Sequence, residues 1–327
     1  MPLNPVLSRL PILVLSPHSR CNCRCVMCDI WKNPDAAEIS ARDLERHMNS
    51  IGNMGVEWVV FSGGEPLMHS DLFRLCALLR KRSIRVTILS TGLLLERHAA
   101  AIAENADDII VSLDGPRDVH DRIRRAAGAF ERLAAGVHAL HGLRAAIPIH
   151  ARGTVQQLNH AALRETVAVA KRIGLNGISF LAADLTSTAF NRLRVWDAER
   201  QMEVGLSREQ VVVLEAEIDA LTLQGDCGKF VAESAVKLRR VVRHFRAHLG
   251  ELPHEAPRCN APWVSVAVEA DGTVRPCFFH APIGKVDASS ALGDVINSAE
   301  AVDFRRNLEI ATNPICRRCV CSLNWRY

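Results

Sequence analysis

The sequence predicts an α/β protein: a partial barrel of six parallel strands with flanking helices, then a small cysteine-rich domain built on a β-hairpin and a helix. Three observations predict it. Between residues 12 and 184, short apolar β-prone runs alternate six times with stretches of helical periodicity, the pattern of a parallel sheet covered by helices. Every polar or glycine-rich motif there follows a strand rather than preceding one, and the carboxyl ends of barrel strands form the chemical face. The eleven cysteines gather at 21–28 and 259–321, with only Cys76 and Cys227 between.

The elements follow in order. A strand at 12–15 runs into the loop Ser19 to Asn33. Ser40 caps a helix over 41–54, with Leu44, Met48 and Ile51 at helical spacing. A strand at 57–61 ends in Ser62-Gly63-Gly64-Glu65-Pro66. The helix over 71–82 places Cys76 in an apolar stripe with Leu72, Leu75 and Leu79, as a buried small hydrophobe. A strand at 84–89 ends at Ser90-Thr91-Gly92 and leads to a helix over 94–104. The strand 108–113 ends at Asp114-Gly115-Pro116, with a helix at 129–142. The strand 147–154 passes Asn159 into a helix ending at Gly174, and the strand 176–181 ends at Ala182-Ala183-Asp184. Right-handed crossovers curl such a sheet toward a closed or partial barrel.

Residues 185–200 lack periodicity and are expected to form a loop over the barrel mouth. Ser207 caps a helix over 208–223, and another is expected over 231–249. Its basic run (Lys237, Arg239, Arg240, Arg243, Arg246) reads first as a solvated face. Cys227, between glycines, reads as an ordinary loop residue. The expected organisation is a barrel core at 1–184, a helical bridge at 185–255 and a C-terminal domain at 256–327.

Of the 327 residues, 48% are hydrophobic and 23% charged, with a net charge of only +4. That composition describes a soluble globular chain and is too mild to argue for nucleic acid or a membrane surface. No apolar run is long enough to span a bilayer and no signal peptide is evident, so the expectation is cytoplasmic.

Cys21, Cys25 and Cys28 stand in a C-x₃-C-x₂-C spacing. Three thiolates in so short a loop suit a metal centre. A [4Fe–4S] cube wants four ligands and would keep one iron open here, whereas structural zinc wants a fourth protein ligand. Disulfides between such close cysteines have poor geometry. Cys23 falls outside the spacing. With this loop, the Gly-Gly-Glu-Pro stretch and Ser112 to Arg125 (SLDGP followed by HDRIRR), the chain resembles the radical SAM superfamily. The resemblance implies a [4Fe–4S] cluster on Cys21, Cys25 and Cys28 whose open iron is chelated by S-adenosylmethionine (SAM). It also implies SAM contacts from Gly63, Gly64, Glu65, Ser90, Thr91, Ser112, Asp114 and Arg152. Thr154, Asn159, Phe180 and Leu181 match positions at which the family holds the SAM carboxylate and adenine.

An Asp271-Gly272 pair between two β-prone runs predicts a hairpin that brings Cys259 near Cys277, and Cys316-x₂-Cys319 completes a four-thiolate site. By spacing alone zinc and iron–sulfur are equal readings. The C-x₁₂-G-x₄-C arrangement followed by C-x₂-C resembles the SPASM/twitch extension of radical SAM enzymes. This implies an auxiliary [4Fe–4S] cluster on Cys259, Cys277, Cys316 and Cys319 in the shorter single-cluster form, with Cys321 spare.

The resemblance implies a radical SAM oxidoreductase: reductive cleavage of SAM to a 5′-deoxyadenosyl radical, hydrogen abstraction from substrate, and electron transfer through the auxiliary cluster. An external electron donor such as flavodoxin or ferredoxin is implied. Only 20 residues precede Cys21, so no peptide-recognition domain is expected before the barrel. This favours dehydrogenation or epimerisation of a small molecule over maturation of a ribosomally made peptide. The rival of another class is a non-catalytic iron–sulfur or zinc electron-transfer protein. The sequence names no catalytic acid, base or radical quencher.

Overall fold

The computed structural model describes residues 4–143, 147–192 and 194–325. Six strands alternate with helices: β1 (Ile12–Leu15), α1 (Ala41–Asn53), β2 (Trp58–Phe61), α2 (Leu72–Arg80), β3 (Arg85–Ser90), α3 (Leu95–Asn105), β4 (Asp108–Ser112), α4 (Arg117–Arg124), α5 (Ala129–His141), β5 (Ile149–Val155), α6 (Leu163–Arg172) and β6 (Gly177–Ala182). The alternation is the expected one, with α4 added between β4 and α5, where no element was expected. Three helices follow: α7 (Ala198–Val204), α8 (Arg208–Leu223) and α9 (Ala235–His248). The remainder is α10 (Ala261–Val264), β7 (Ser265–Val268), β8 (Thr273–Arg275), β9 (Gly284–Lys285), α11 (Leu292–Ile296), α12 (Ala299–Asn307) and α13 (Pro314–Arg317).

Local chemistry explains the helix starts. Ser40 and Asp43 form a reciprocal capping box on α1, and Ser207 with Gln210 forms another on α8, each satisfying two backbone donors that would otherwise lack partners. The strands pair in sequence order, all parallel from β1 to β6. On the helix side, Val59, Phe61, Val86, Ile88, Ile109 and Val111 are wholly buried. On the opposite side, Val14, Val60, Leu89, Ile110, Arg152 and Ser179 stay half-exposed. The sheet thus hides one face under helices and offers the other to ligands.

The sheet is open rather than closed, in the order β6-β5-β4-β3-β2-β1-β7-β8-β9. The expected C-terminal hairpin forms, turning at Gly272 with φ 89°, where a Cβ would stand 2.3 Å from the Val286 carbonyl oxygen. Its strand β7 pairs in parallel with β1, Ile12 opposite Ser265 through Leu15 opposite Val268, so the cysteine-rich region continues the barrel sheet. The far edge at β6 is covered by residues expected to begin a helix. The N–H of Ile178 donates to Phe230 O (2.9 Å), that of Ala232 to Ile178 O (2.8 Å), and that of Phe180 to Glu233 Oε2 (3.0 Å). An unpaired strand edge recruits these groups, and α9 starts only after Ser234 caps it. Among the described residues no helix is long and apolar enough to cross a membrane.

Candidate functional site

The loop after β1 carries Cys21, Cys25 and Cys28 and is anchored from three sides. From below, the Glu65 N–H donates to Arg20 O at 2.9 Å, and Gly64 lies so close that a Cβ would stand 1.9 Å from that oxygen. Gly63 adopts φ 92°, a conformation that favours glycine. Gly64→Ala should displace the Arg20–Cys21 backbone, with a stability loss on the order of 3 kcal/mol. Thermal denaturation of the apoprotein would register it, and an unchanged melting temperature would refute the close packing.

Glu65 is fully buried. Its Oε1 accepts from Leu67 N (3.0 Å) and Ser90 Oγ (2.9 Å), and its Oε2 from Thr91 N (2.6 Å). Burial pushes its pKa up, against the lowering effect of those bonds. Thr91 Oγ1 in turn donates to Asn22 Oδ1 at 2.9 Å. The Gly-Gly-Glu-Pro loop, the end of β3 and the cysteine loop are therefore one hydrogen-bonded unit.

The second anchor is α4. Arg24 N donates to Arg124 O (3.1 Å) and Val26 N to Ile123 O (3.0 Å). The buried Arg124 guanidinium pairs with Asp114 Oδ2 at 2.5 Å and donates to Cys25 Sγ at 3.5 Å. Asp114 Oδ1 also accepts from Thr154 N at 2.9 Å. Asp114 thus spends its carboxylate on fixing β4, β5 and the cysteine loop together. Beside it, fully buried His120 accepts from Asp114 N through Nδ1 at 3.2 Å. Burial, aided by Arg124, lowers its pKa to about 3. Between that value and about 6.5 the unfolded chain binds the extra proton. This stabilisation is therefore full above about pH 6.5 and fades as the pH falls toward 3. His120→Asn should flatten the fall of the melting temperature over that window, and a parallel curve would contradict it.

The third anchor was missed in the sequence because residues 185–200 show no periodicity. Arg192 is buried and donates to Asp184 Oδ2 (2.6 Å), Asp184 O (2.9 Å) and Met27 O (3.2 Å). Its guanidinium lies 3.6 Å from the centre of the Trp196 ring, and Trp196 Nε1 donates to Asp29 Oδ2 at 2.8 Å. Arg200 reaches Val26 O. Phe190, at φ 63°, packs on Phe278, 4.9 Å between ring centroids, so this strap touches both cysteine regions. Arg124 lay within the quoted HDRIRR motif, but its role needs the three-dimensional approach of α4.

In chemistry these residues suit an iron–sulfur cluster, although among the described residues no group of three or more His, Cys, Asp or Glu side chains is arranged to hold a metal ion. Cys21 and Cys28 accept N–H bonds from residues two positions on, Cys23 and Ile30. Cys23 is hydrogen-bonded to Cys25, which, with Arg124, draws the Cys25 pKa down to about 7 despite burial. Burial pushes Cys21 and Cys28 up to about 12. A metal centre supplies the positive charge that holds such groups as thiolates. Buried N–H groups of Asn22, Arg124 and Arg192 find no acceptor among the described residues and border the same loop.

The second group shows the same pattern. Ala261 N donates to Cys259 Sγ at 3.4 Å, Phe279 and His280 amides to Cys277, and His280 Nε2 lies 3.4 Å from Cys316 Sγ. Burial drives the Cys316 and Cys319 pKa values up, Cys316 to about 12. Cys319 Sγ lies 3.3 Å from Cys321 O. Cys321 lies in the fields of Arg152 and Asp184 as well as of Cys277 and Cys259. Arg152 is half-buried opposite Ser112 in the β4–β5 register, its Nε 3.4 Å from Ser179 Oγ. Both stand apart from the hydrogen-bonded unit around Glu65. Three of the five cations in the basic run on α9 are paired: Arg239 with Asp219, Arg243 with Glu255 and Arg246 with Glu215 and Glu251.

Residues 15–149 match the radical SAM superfamily, and residues 259–320 match SPASM, an iron–sulfur cluster-binding domain. The Fe-coproporphyrin III synthase of Methanosarcina barkeri is 33% identical over 136 residues, 39% of this chain and 33% of that protein. The pre-heme d1 synthase of Dinoroseobacter shibae is 28% identical over 283 residues, 81% of this chain and 68% of that protein. The chain therefore spans a third of the first relative and about two thirds of the second. Streptococcus suis SuiB bound to SAM superposes with a TM-score of 0.67 at 15% identity, covering 97% of this chain and 74% of SuiB. SuiB bound to precursor peptide SuiA gives 0.70, covering 97% and 72%. Sequence match, fold and the two thiol groups agree: the chain belongs to the radical SAM superfamily, with a C-terminal SPASM iron–sulfur domain, and its cofactors are SAM and [4Fe–4S] clusters.

Proposed function

We propose that the chain is a radical SAM oxidoreductase acting on a small molecule, by dehydrogenation or epimerisation. Cys21, Cys25 and Cys28 would hold the [4Fe–4S] cluster that would supply reductive cleavage of SAM to a 5′-deoxyadenosyl radical, and Cys259, Cys277, Cys316 and Cys319 would hold one auxiliary [4Fe–4S] cluster able to take up or return the electron left by hydrogen abstraction. The single observation that carries this is the strap holding Phe190 and Arg192, in which Arg192 donates to Met27 O beside Cys28 and Phe190 packs on Phe278 beside Cys277. The two thiol groups thus border one working face.

In this reading Gly63 and Gly64 admit the SAM amino group to the backbone, and Glu65 orders the strand end through Ser90 and Thr91. Asp114 fixes the cysteine loop through Arg124. Ser112 and Arg152, half-exposed on the ligand side, offer a hydroxyl and a cation to SAM or substrate. The three divisions 1–184, 185–255 and 256–327 then serve as SAM core, bridge and auxiliary-cluster domain. Eleven free thiols suit the reducing cytoplasm.

The match over 81% of this chain to a pre-heme d1 synthase supports a small molecule and makes heme precursors the first substrates to try. A peptide supplied by a separate partner is the second reading, supported by the fold shared with peptide-bound SuiB. The test is anaerobic reconstitution followed by reduction with dithionite. About eight iron atoms per chain, release of 5′-deoxyadenosine, and deuterium transfer into it from a labelled heme precursor are expected. Zinc in place of the second four irons would overturn the auxiliary cluster. Absence of 5′-deoxyadenosine would overturn the enzyme reading in favour of an electron-transfer protein, and deuterium transfer from a peptide alone would overturn the small-molecule choice.

A further inference from the structure

Two successive residues of the strap, Phe190 and Asn191, adopt φ 63° and 62°. Among the described residues no other pair of neighbouring non-glycine residues shares this left-handed backbone, and a bulky phenylalanine is a poor occupant of it. Such a conformation persists only where the surroundings impose it, and it gathers at segments that hold ligands. Here polar bonds impose it. Asn191 Nδ2 donates to Asp29 O at 3.4 Å, and Arg192 donates to Met27 O and to Ser187 O, both at 3.2 Å. These bonds fix the strap beside Cys28, while the Phe190 ring reaches the second thiol group.

There it meets Phe278 and Phe279, which follow Cys277 directly. The ring centroids lie 4.9 Å apart for Phe190 and Phe278, 6.2 Å for Phe190 and Phe279, and 5.8 Å for Phe278 and Phe279. Each ring meets the others tilted or edge-on, the arrangement aromatic pairs prefer. This trio stands outside the hydrophobic core. Phe73 and Phe230, also half-buried, pack against that core, whereas Phe190, Phe278 and Phe279 do not belong to it. Phe190 and Phe278 remain partly exposed. Core packing therefore does not account for the trio, which a strained backbone assembles between the two cysteine regions. An aromatic wall in that place suits a flat apolar ligand.

We propose that Phe190, with Phe278 and Phe279, forms the surface on which a planar conjugated ring of the substrate stacks, and that Phe190 selects such a ring over aliphatic small molecules. This rests on the small-molecule function proposed above and narrows it to flat ring systems of the heme-precursor type. A flat ring meets an aromatic face with many atoms at once, and a puckered or open-chain molecule meets it with few. The Arg192 guanidinium, 5.4 Å from the Phe190 ring centre, steadies that ring from within the strap. A ring stacked there is bordered by the loop of Cys28 on one side and by Cys277 on the other.

The experiment uses reconstituted full-length protein and coproporphyrin III as the probe, whose Soret absorbance reports binding without turnover. Phe190→Ala should weaken binding roughly tenfold, and Phe190→Tyr should keep the parent affinity. Phe73→Ala on α2, whose ring packs on His98, should leave binding unchanged. Suberate, an aliphatic dicarboxylate, should not displace the porphyrin. A further variant separates stacking from folding. Phe190→Gly relieves the left-handed backbone, so its melting temperature should hold or rise while porphyrin binding falls as in Phe190→Ala. A clear drop in that melting temperature would mark Phe190 as packing alone and overturn the proposal. Parent-like affinity in Phe190→Ala, equal loss in Phe73→Ala, displacement by suberate, or no binding by the parent protein would each overturn it too. If reduction yields no 5′-deoxyadenosine, the function reading fails, while the porphyrin titration still decides the stacking surface.

Discussion

Cys25→Ala should lower the iron content of reconstituted protein from about eight to about four atoms per chain and remove 5′-deoxyadenosine release altogether. The sulfur of Cys25 is the most firmly held of the three in its loop. It receives Arg124 at 3.5 Å and a hydrogen bond from Cys23, and the backbone on both sides of it is bonded to the end of α4. The nearest other thiol, Cys23, is buried and lies outside the C-x₃-C-x₂-C spacing. Cys76→Ala is the matched comparison. That thiol is equally buried but lies in the apolar stripe of α2, so its loss should leave the iron count intact. Iron analysis and chromatographic assay of 5′-deoxyadenosine decide the matter, and activity surviving Cys25→Ala would remove the basis for the proposed chemistry.

Arg124→Met should destabilise the apoprotein by about 3–5 kcal/mol, the usual cost of stranding one member of a buried ion pair. The change leaves the Asp114 carboxylate inside the protein without its partner and removes the donor facing Cys25. Asp114→Asn combined with Arg124→Met should recover part of the loss, because the two side chains act as a unit. Urea unfolding of the apoprotein measures both. In reconstituted protein the single variant should also alter the electron paramagnetic resonance signal of the first cluster while sparing that of the second. A cost below about 1 kcal/mol, or full additivity in the double variant, would show that the pair does not hold the loop.

Much of the site was legible before any coordinates because its residues are local. The C-x₃-C-x₂-C spacing, the Gly-Gly-Glu-Pro turn and the polar residues at strand ends each sit within a few positions of one another. Periodicity located the elements that present them, and Ser40 and Ser207 marked helix starts that the structure repeats. The partners of these residues were not legible. Glu65 was expected to serve a ligand, yet its oxygens accept from Leu67, Ser90 and Thr91. Asp114 was expected at SAM, and its carboxylate is shared between Arg124 and the backbone of Thr154. The first helical residues expected after 231 instead complete the edge of β6, because an open strand edge outweighs local helix propensity.

From the amino-acid order alone came the α/β alternation, the two thiol groups and the side of the sheet on which chemistry would lie, since these depend on residue type and short-range spacing. Tertiary structure alone decided three things: that β7 extends the sheet from β1, that Arg124 and Arg192 clamp the cysteine loop from opposite elements, and that Trp196 bonds to Asp29. Each joins residues more than 90 positions apart. Such contacts are selected by packing and by the need to satisfy buried charge, and no local pattern in the chain records them.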